Sequence, residues 1–244
     1  FLIMTTRNNP LRIGNFTSSN IYRLMGAPKP RKTYIDECNM ERRLERPLSN
    51  DTTAKPMSWG IVGERKVFEL LGTEYSLVSQ ETIQHPEILS WVGSPDAFKK
   101  NTTVEIKCPY TLKSFCELVD IIQSGDPERL KKEKDDYYWQ IVSNSVLLNH
   151  DFAELIVYTP YFQELGDIVT LSEDVEIAEL YKTRWISLAN YDELPSINKG
   201  GYYKNLNIMP FHVPQADKDL LTRTILECEK ELIKLPTKMS LIEQ

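Results

Sequence analysis

The sequence predicts an α/β fold in which a mixed central β-sheet is flanked by helices. Strand-like runs alternate with amphipathic helical runs along the chain, and two of the strand-like runs flank the polar pair Lys100-Asn101 as the arms of a hairpin. The 244 residues, 41% hydrophobic and 26% charged, suffice for one substantial core. A single domain is expected over residues 1–244, with its core at about 11–161 and a C-terminal extension at about 162–244.

The elements follow in order. Thr17-Ser18-Ser19 offers capping hydroxyls for a helix running to Gly26, and a charged helix over residues 33–46 stops before Pro47. Both are expected at the periphery of the core. In the next helix, residues 57–71, Val67, Phe68 and Leu71 fall three, four and seven places after Glu64, and Gly72 is the natural stop. Glu64 therefore stands in the apolar stripe. Strands are expected over residues 77–83, 89–92, 94–98 and 103–108, helices over 112–122 and 127–149, and strands over 153–159 and 168–171. From Tyr181 to Lys204 the chain is aromatic, rich in Gly and Asn and without clear period, which reads as loop or insertion. A strand over 206–213 and a helix over 215–235 close the chain.

No apolar run reaches the roughly 18 residues of a membrane span, and Phe1-Leu2-Ile3-Met4 lacks the basic flank and cleavage site of a signal peptide. Cys38, Cys108, Cys116 and Cys228 are scattered, without the paired spacings of a zinc site or a disulfide framework, which fits reduced thiols and a cytoplasmic protein. His85, His150 and His212 show no ligand spacing. A net charge of −6 argues against a surface built entirely for nucleic acid, so a DNA partner requires local positive charge. Lys99 and Lys100 at the hairpin tip are placed to supply it, whereas the basic run at 129–134 reads as a solvated helix face.

Chemistry concentrates on the hairpin. Side chains alternate across a strand, so Glu105 and Lys107 share one face while Val104, Ile106 and Cys108 share the other. If Lys100-Asn101 is a two-residue loop, Lys99 pairs with Thr102 and Asp96 falls opposite Glu105. Facing carboxylates repel, and such a pair calls for a cation, either Lys107 or a metal. Two carboxylates with a backbone carbonyl form a hard oxygen site suited to Mg²⁺ or Mn²⁺. An isolated E-x-K on an edge strand is also compatible with a plain solvated ion pair, so the short motif alone decides nothing.

The surroundings resemble a known family. Arg12-Ile13-Gly14 with Thr17-Ser18-Ser19, Trp59-Gly60 with Glu64, Ser94-Pro95-Asp96, Glu105-Ile106-Lys107-Cys108-Pro109, Tyr137-Tyr138-Trp139-Gln140 and Val157-Tyr158-Thr159-Pro160 resemble, in order, the blocks of the lambda exonuclease and YqaJ-like viral recombinase nucleases. These belong to the wider PD-(D/E)xK superfamily. The resemblance implies a restriction-endonuclease-like core and a Mg²⁺-dependent deoxyribonuclease, with Mn²⁺ as substitute, working as a 5′→3′ exonuclease on double-stranded DNA ends in phage-type recombination. It implies that Asp96, Glu105 and the carbonyl of Ile106 bind metal, that Lys107 serves the nucleophile, and that Glu64 supports a second metal or its waters. Gln140 would lie near the scissile or terminal phosphate, and Arg12, Ser19 and Ser94 with Gln140 would receive the 5′-phosphate end. Val142 stands where many of the family carry a second glutamine. A ring-shaped homotrimer, a single-strand annealing partner and a bacterial host cytoplasm are implied in the same way. By composition alone, Gln140, Ser143 and Asn144 read as an exposed helix face. Two rivals remain at this stage: a PD-(D/E)xK endonuclease, and a non-catalytic DNA-binding module that keeps the fold.

Overall fold

The computed structural model describes residues 9–48, 54–77, 81–174 and 177–234. The apolar opening at residues 1–4 lies outside them. The first segment passes from a 3-10 turn, Pro10–Arg12, through β1 (Phe16–Thr17) and a second 3-10 turn, Ser18–Asn20, into a single helical turn, α1 (Tyr22–Met25). The expected helix to Gly26 is thus split into a 3-10 turn and one α-helical turn. α2 (Pro28–Leu44) begins earlier than expected, because Pro28 in the first position needs no N–H partner, and it ends where Glu45 turns left-handed at φ 52°. Neither helix is peripheral. Tyr34, Ile35 and Cys38 make a narrow stripe among the charges of α2 and are buried with Ile21 and Leu24 in the larger core cluster.

α3 (Lys55–Leu70) is followed by β2 (Ser76–Leu77), β3 (Ile83–Gln84), β4 (Trp91–Gly93), β5 (Ala97–Lys99) and β6 (Thr102–Lys107). The strand expected over residues 77–83 is represented by the ends of β2 and β3, its middle lying outside the described residues. Lys100 takes φ 47°, closing a two-residue turn in which Lys99 pairs with Thr102 and Ala97 with Val104. That is the register the sequence predicts, and it leaves Asp96 immediately beyond the last recorded pair. α4 (Leu112–Ser124), α5 (Pro127–Glu133) and α6 (Asp135–Leu148) come next; the single helix expected over 127–149 breaks at Lys134, whose φ of −141° is not helical.

β7 (Phe152–Tyr158) then pairs parallel to β6, and β8 (Leu206–His212), from the C-terminal extension, pairs antiparallel to β7. The main sheet reads β2-β5-β6-β7-β8, and a small sheet reads β1-β4-β3. Between β7 and β8 two expectations fail. Residues 168–171 belong to a helix, α7 (Leu165–Glu173), rather than to a strand. Ile168, Val169 and Thr170 are β-branched, yet Leu165, Ile168 and Ser172 fall at helical spacing and bury, so packing overrides local preference. Part of the supposed loop from Tyr181 is helical too, within α8 (Ile177–Leu188), with Ile186 buried. α9 (Gln215–Glu229) ends the described structure in the expected place but shorter than expected.

Two apolar clusters cover the two faces of the main sheet. Ala153, Leu155 and Val157 of β7 join the cluster of α1, α2, α4, α6 and α9, and Ile156 and Tyr158 join that of α3, α7 and α8. On β6, Val104 and Ile106 pack in the second cluster. Thr103, Glu105 and Lys107 consequently face α6.

Candidate active site

β6 delivers Glu105 and Lys107 to a face that is otherwise core. Glu105 is fully buried, and its two carboxylate oxygens are held from two directions: Lys107 Nζ donates to Oε1 at 2.6 Å and Asn144 Nδ2 donates to Oε2 at 3.2 Å. Lys107 Nζ also donates to Gln140 Oε1 at 3.2 Å and lies 4.8 Å from the centroid of the Tyr137 ring. Tyr137, Gln140 and Asn144 stand at i, i+3 and i+7 on α6 and so share one side of it. The polar strip of α6 is therefore not an exposed face: Ser143 and Asn144 are both fully buried. Ser143 Oγ sits 2.8 Å from Ser18 Oγ and accepts from Trp91 Nε1 at 2.8 Å. Two polar surfaces, one on the strand and one on the helix, bury each other.

Asp96 turns back from the end of β5, and its Oδ2 accepts the Ile106 N–H at 2.7 Å. This bond ties the carboxylate to the backbone of the strand that carries Glu105. Glu64 enters from α3, whose close approach to the end of β6 depends on Gly63. A Cβ there would stand 2.6 Å from Cys108 Cβ. Gly93 serves similarly on β4, since a Cβ would meet Ser18 Oγ at 2.2 Å and Asn144 Oδ1 at 2.5 Å.

The electrostatics are unbalanced. Burial, then the charges of Glu105 and Glu64, push Asp96 well above the ordinary carboxylate range. Burial raises Glu64 to about 7, with Lys107 opposing and Glu105 adding to the rise. For Lys107 burial acts downward, but Glu105 and Asp96 outweigh it and hold the ammonium above its ordinary value. Three carboxylates thus surround one ammonium, with Glu105 fully buried and the others half-buried. Among the described residues no group of three or more His, Cys, Asp or Glu side chains is assembled to hold a metal ion by itself. The donor set nevertheless fits a hard divalent cation: Asp96 and Glu105 with a strand carbonyl leave positions for waters, as Mg²⁺ prefers, and the excess negative charge is the one such an ion would neutralise.

A second polar group adjoins the first. Arg12 Nη1 donates to Ser94 Oγ at 3.0 Å, and Ser94 Oγ lies 3.2 Å from Thr82 Oγ1. Ser94, the anchor of this arginine, lies two residues before Asp96 on the segment that leads into the carboxylate site. Ser19 is exposed, its hydroxyl 3.5 Å from Thr17 Oγ1, while its neighbour Ser18 points into the core. The 3-10 turn here is too short to act as a helix terminus for an anion. The sequence missed Thr82, Tyr137 and Asn144 as members of the site. The spacing of Tyr137, Gln140 and Asn144 on one helical face was the available signal for two of them.

Lys99 pairs with Glu154 at 2.8 Å and donates to Tyr75 OH at 2.8 Å, so this hairpin lysine is engaged within the protein. No described helix is long and apolar enough to cross a membrane.

Comparison with known proteins identifies the family and the fold. The model of the YqaJ-like viral recombinase domain matches residues 9–147, which hold Arg12, Glu64, Asp96, Glu105, Lys107 and Gln140. No curated protein sequence matches. Among solved structures, an alkaline exonuclease (LHK-Exo) from Laribacter hongkongensis is similar at 16% identity and a TM-score of 0.59, over 90% of this chain and 88% of that one. The same enzyme in complex with dAMP gives 16% identity and 0.59 over 91% of each chain. A phage related exonuclease from Haemophilus somnus 129PT gives 13% identity and 0.58, over 89% of this chain and 92% of that one. At such identities the likeness establishes a shared fold.

Proposed function

The chain belongs to the YqaJ-like viral recombinase domain family, and from that premise we propose that it hydrolyses DNA phosphodiester bonds with Mg²⁺, as a 5′→3′ exonuclease on double-stranded ends. The observation that carries the reading is the convergence of Asp96, Glu105, Lys107 and Gln140, three elements meeting in a buried site with excess negative charge. The exonucleases that share the fold support it.

Asp96, Glu105 and the Ile106 carbonyl would hold the ion, and Mn²⁺ would serve in its place. Bound there, the ion supplies a polarised phosphoryl oxygen and an activated water. The chain's own residues do the rest. Lys107 stays protonated beside Glu105 and is the group that orients the nucleophile and meets charge developing on the phosphate. Gln140, bonded to Lys107, sets the direction of that ammonium and offers its amide to the phosphate. Glu64 accepts a proton near neutrality or holds waters of a second ion. Arg12, with Ser94 and Ser19, takes the 5′-phosphate through a charge-assisted contact, placing the terminal nucleotide beside Asp96. A ring-shaped homotrimer, a single-strand annealing partner and a bacterial host cytoplasm complete the proposal by family resemblance.

The test is digestion of linear duplexes carrying 5′-phosphate or 5′-hydroxyl ends, with closed circular DNA as control. Mg²⁺-dependent loss of the linear duplex from its 5′ ends, with the circle intact, is the expected result. Cutting of the circle would make it an endonuclease, and DNA binding without cleavage under Mg²⁺ or Mn²⁺ would make it a binding module.

A further inference from the structure

Glu105 is held by two donors of different kinds. Lys107 is charged, 19% exposed at its side chain, and reaches Oε1 at 2.6 Å, but the proposed chemistry requires it to turn toward nucleophile and phosphate. Asn144 is neutral and fully buried, and it reaches Oε2 at 3.2 Å from a helix packed against the strand. Gly93 closes over the amide from the other side, with no room for a Cβ between them. Ser143, next in the chain, is fixed by Ser18 and Trp91, so the turn of α6 that carries Asn144 is fastened from the sheet side. The Asn144 Oδ1 is buried without a hydrogen-bond partner. An unpaired buried carbonyl carries a desolvation cost, and a group kept at such cost commonly serves something other than stability.

We infer that Asn144 is the positioning residue for Glu105, keeping its carboxylate aimed for the divalent ion when Lys107 is occupied with the substrate. This rests on the metal-site reading of Glu105 given above. Groups that orient a ligand contribute about 10- to 100-fold to metal affinity, and Asn144 belongs in that class.

The experiment is Mn²⁺ binding by calorimetry to folded wild type, Glu105→Ala and Asn144→Leu, with DNA affinity measured in the absence of the ion. Asn144→Leu keeps the branching at Cγ, with bulkier methyl groups, and removes the donor. It should bind Mn²⁺ about tenfold more weakly, recover most of its cleavage rate at saturating Mn²⁺, and bind DNA as wild type does. If it fails to fold by circular dichroism, Asn144→Ala removes the same donor without added bulk against Gly93 and takes its place. Wild-type Mn²⁺ affinity in the folded variant, with binding lost in Glu105→Ala, would overturn the role of Asn144 while leaving the metal site standing. Absence of Mn²⁺ binding in wild type would overturn both together.

Discussion

Asp217 and Glu105 are both buried carboxylates with an ammonium partner, and they differ in what surrounds them. Asp217, at the start of α9, takes Lys131 Nζ on both oxygens at 2.8 and 2.9 Å and the Tyr138 hydroxyl on Oδ2 at 2.6 Å. One negative charge meets one positive charge and one neutral donor, and Lys131 further covers the rings of Tyr138 and Trp139 at 5.4 and 5.3 Å. Around Glu105 the count is different, with Asp96 and Glu64 adding negative charge to a single Lys107. The first cluster is closed and fastens α9 to α5 and α6. The second is left short of positive charge in the place where a cation and a phosphate would arrive. A buried ion pair alone says little about function; its imbalance says more.

The comparison breaks most readily at the carboxylates. Asp96→Ala and Glu105→Ala should each lower Mg²⁺-dependent cleavage by on the order of 10³-fold or more, about 4 kcal/mol in the barrier, while the fold survives by circular dichroism. Removing either relieves repulsion between the carboxylates, which offsets part of the cost of leaving Lys107 and the Asn144 amide, or the Ile106 N–H, without a partner. Lys107→Ala should lower turnover by about 10²–10³-fold, the scale of losing one donor aimed at developing charge, with DNA affinity little changed. Lys107→Arg should not rescue it, because a planar guanidinium directs its donors differently. Full activity in the arginine variant would reduce Lys107 to a generic cation.

Asp217→Ala tests the other side. It leaves Lys131 and the Tyr138 hydroxyl without their partner, and because the Lys131 side chain is 29% exposed, the cost should be about 2–3 kcal/mol rather than the larger loss of a fully buried pair. For a chain of this size that lowers the melting temperature by roughly 5–10 °C, with cleavage preserved at lower temperature. The smallest effect belongs to Arg12. Arg12→Ala should remove a charge-assisted contact of about 1.5–3 kcal/mol, a ten- to hundredfold preference for 5′-phosphorylated over 5′-hydroxyl ends. Equal slowing of both substrates would return Arg12 to a structural role with Ser94.

Much of the site was legible because a strand has a period of two. Glu105 and Lys107 had to share a face by backbone geometry alone, and Asp96 fell near Glu105 on the condition, met in the structure, that Lys100-Asn101 is a two-residue turn. Glu64 was visible as an acid in an apolar stripe. The polar face of α6 was misread as exposed because nothing in that helix declares that Glu105 and Lys107 will cover it, and burial of a polar strip is decided by its partner. The same holds for α1 and α2, whose few apolar residues look too sparse for a core until the small sheet and α6 meet them. α7 and α8 were lost to β-branched and aromatic residues that read as strand and loop but pack helically on α3. Their positions depend on long-range packing, which local pattern does not carry.

The sharpest discrimination comes from measuring Mg²⁺-dependent digestion of one 5′-phosphorylated linear duplex by Glu105→Ala and Asp217→Ala side by side, each held well below its own melting temperature. Glu105→Ala should be inert although folded, and Asp217→Ala should digest the duplex although it melts below wild type. Wild-type digestion by Glu105→Ala, or loss of digestion confined to folded Asp217→Ala, would contradict the assignment of the unbalanced cluster as the active site.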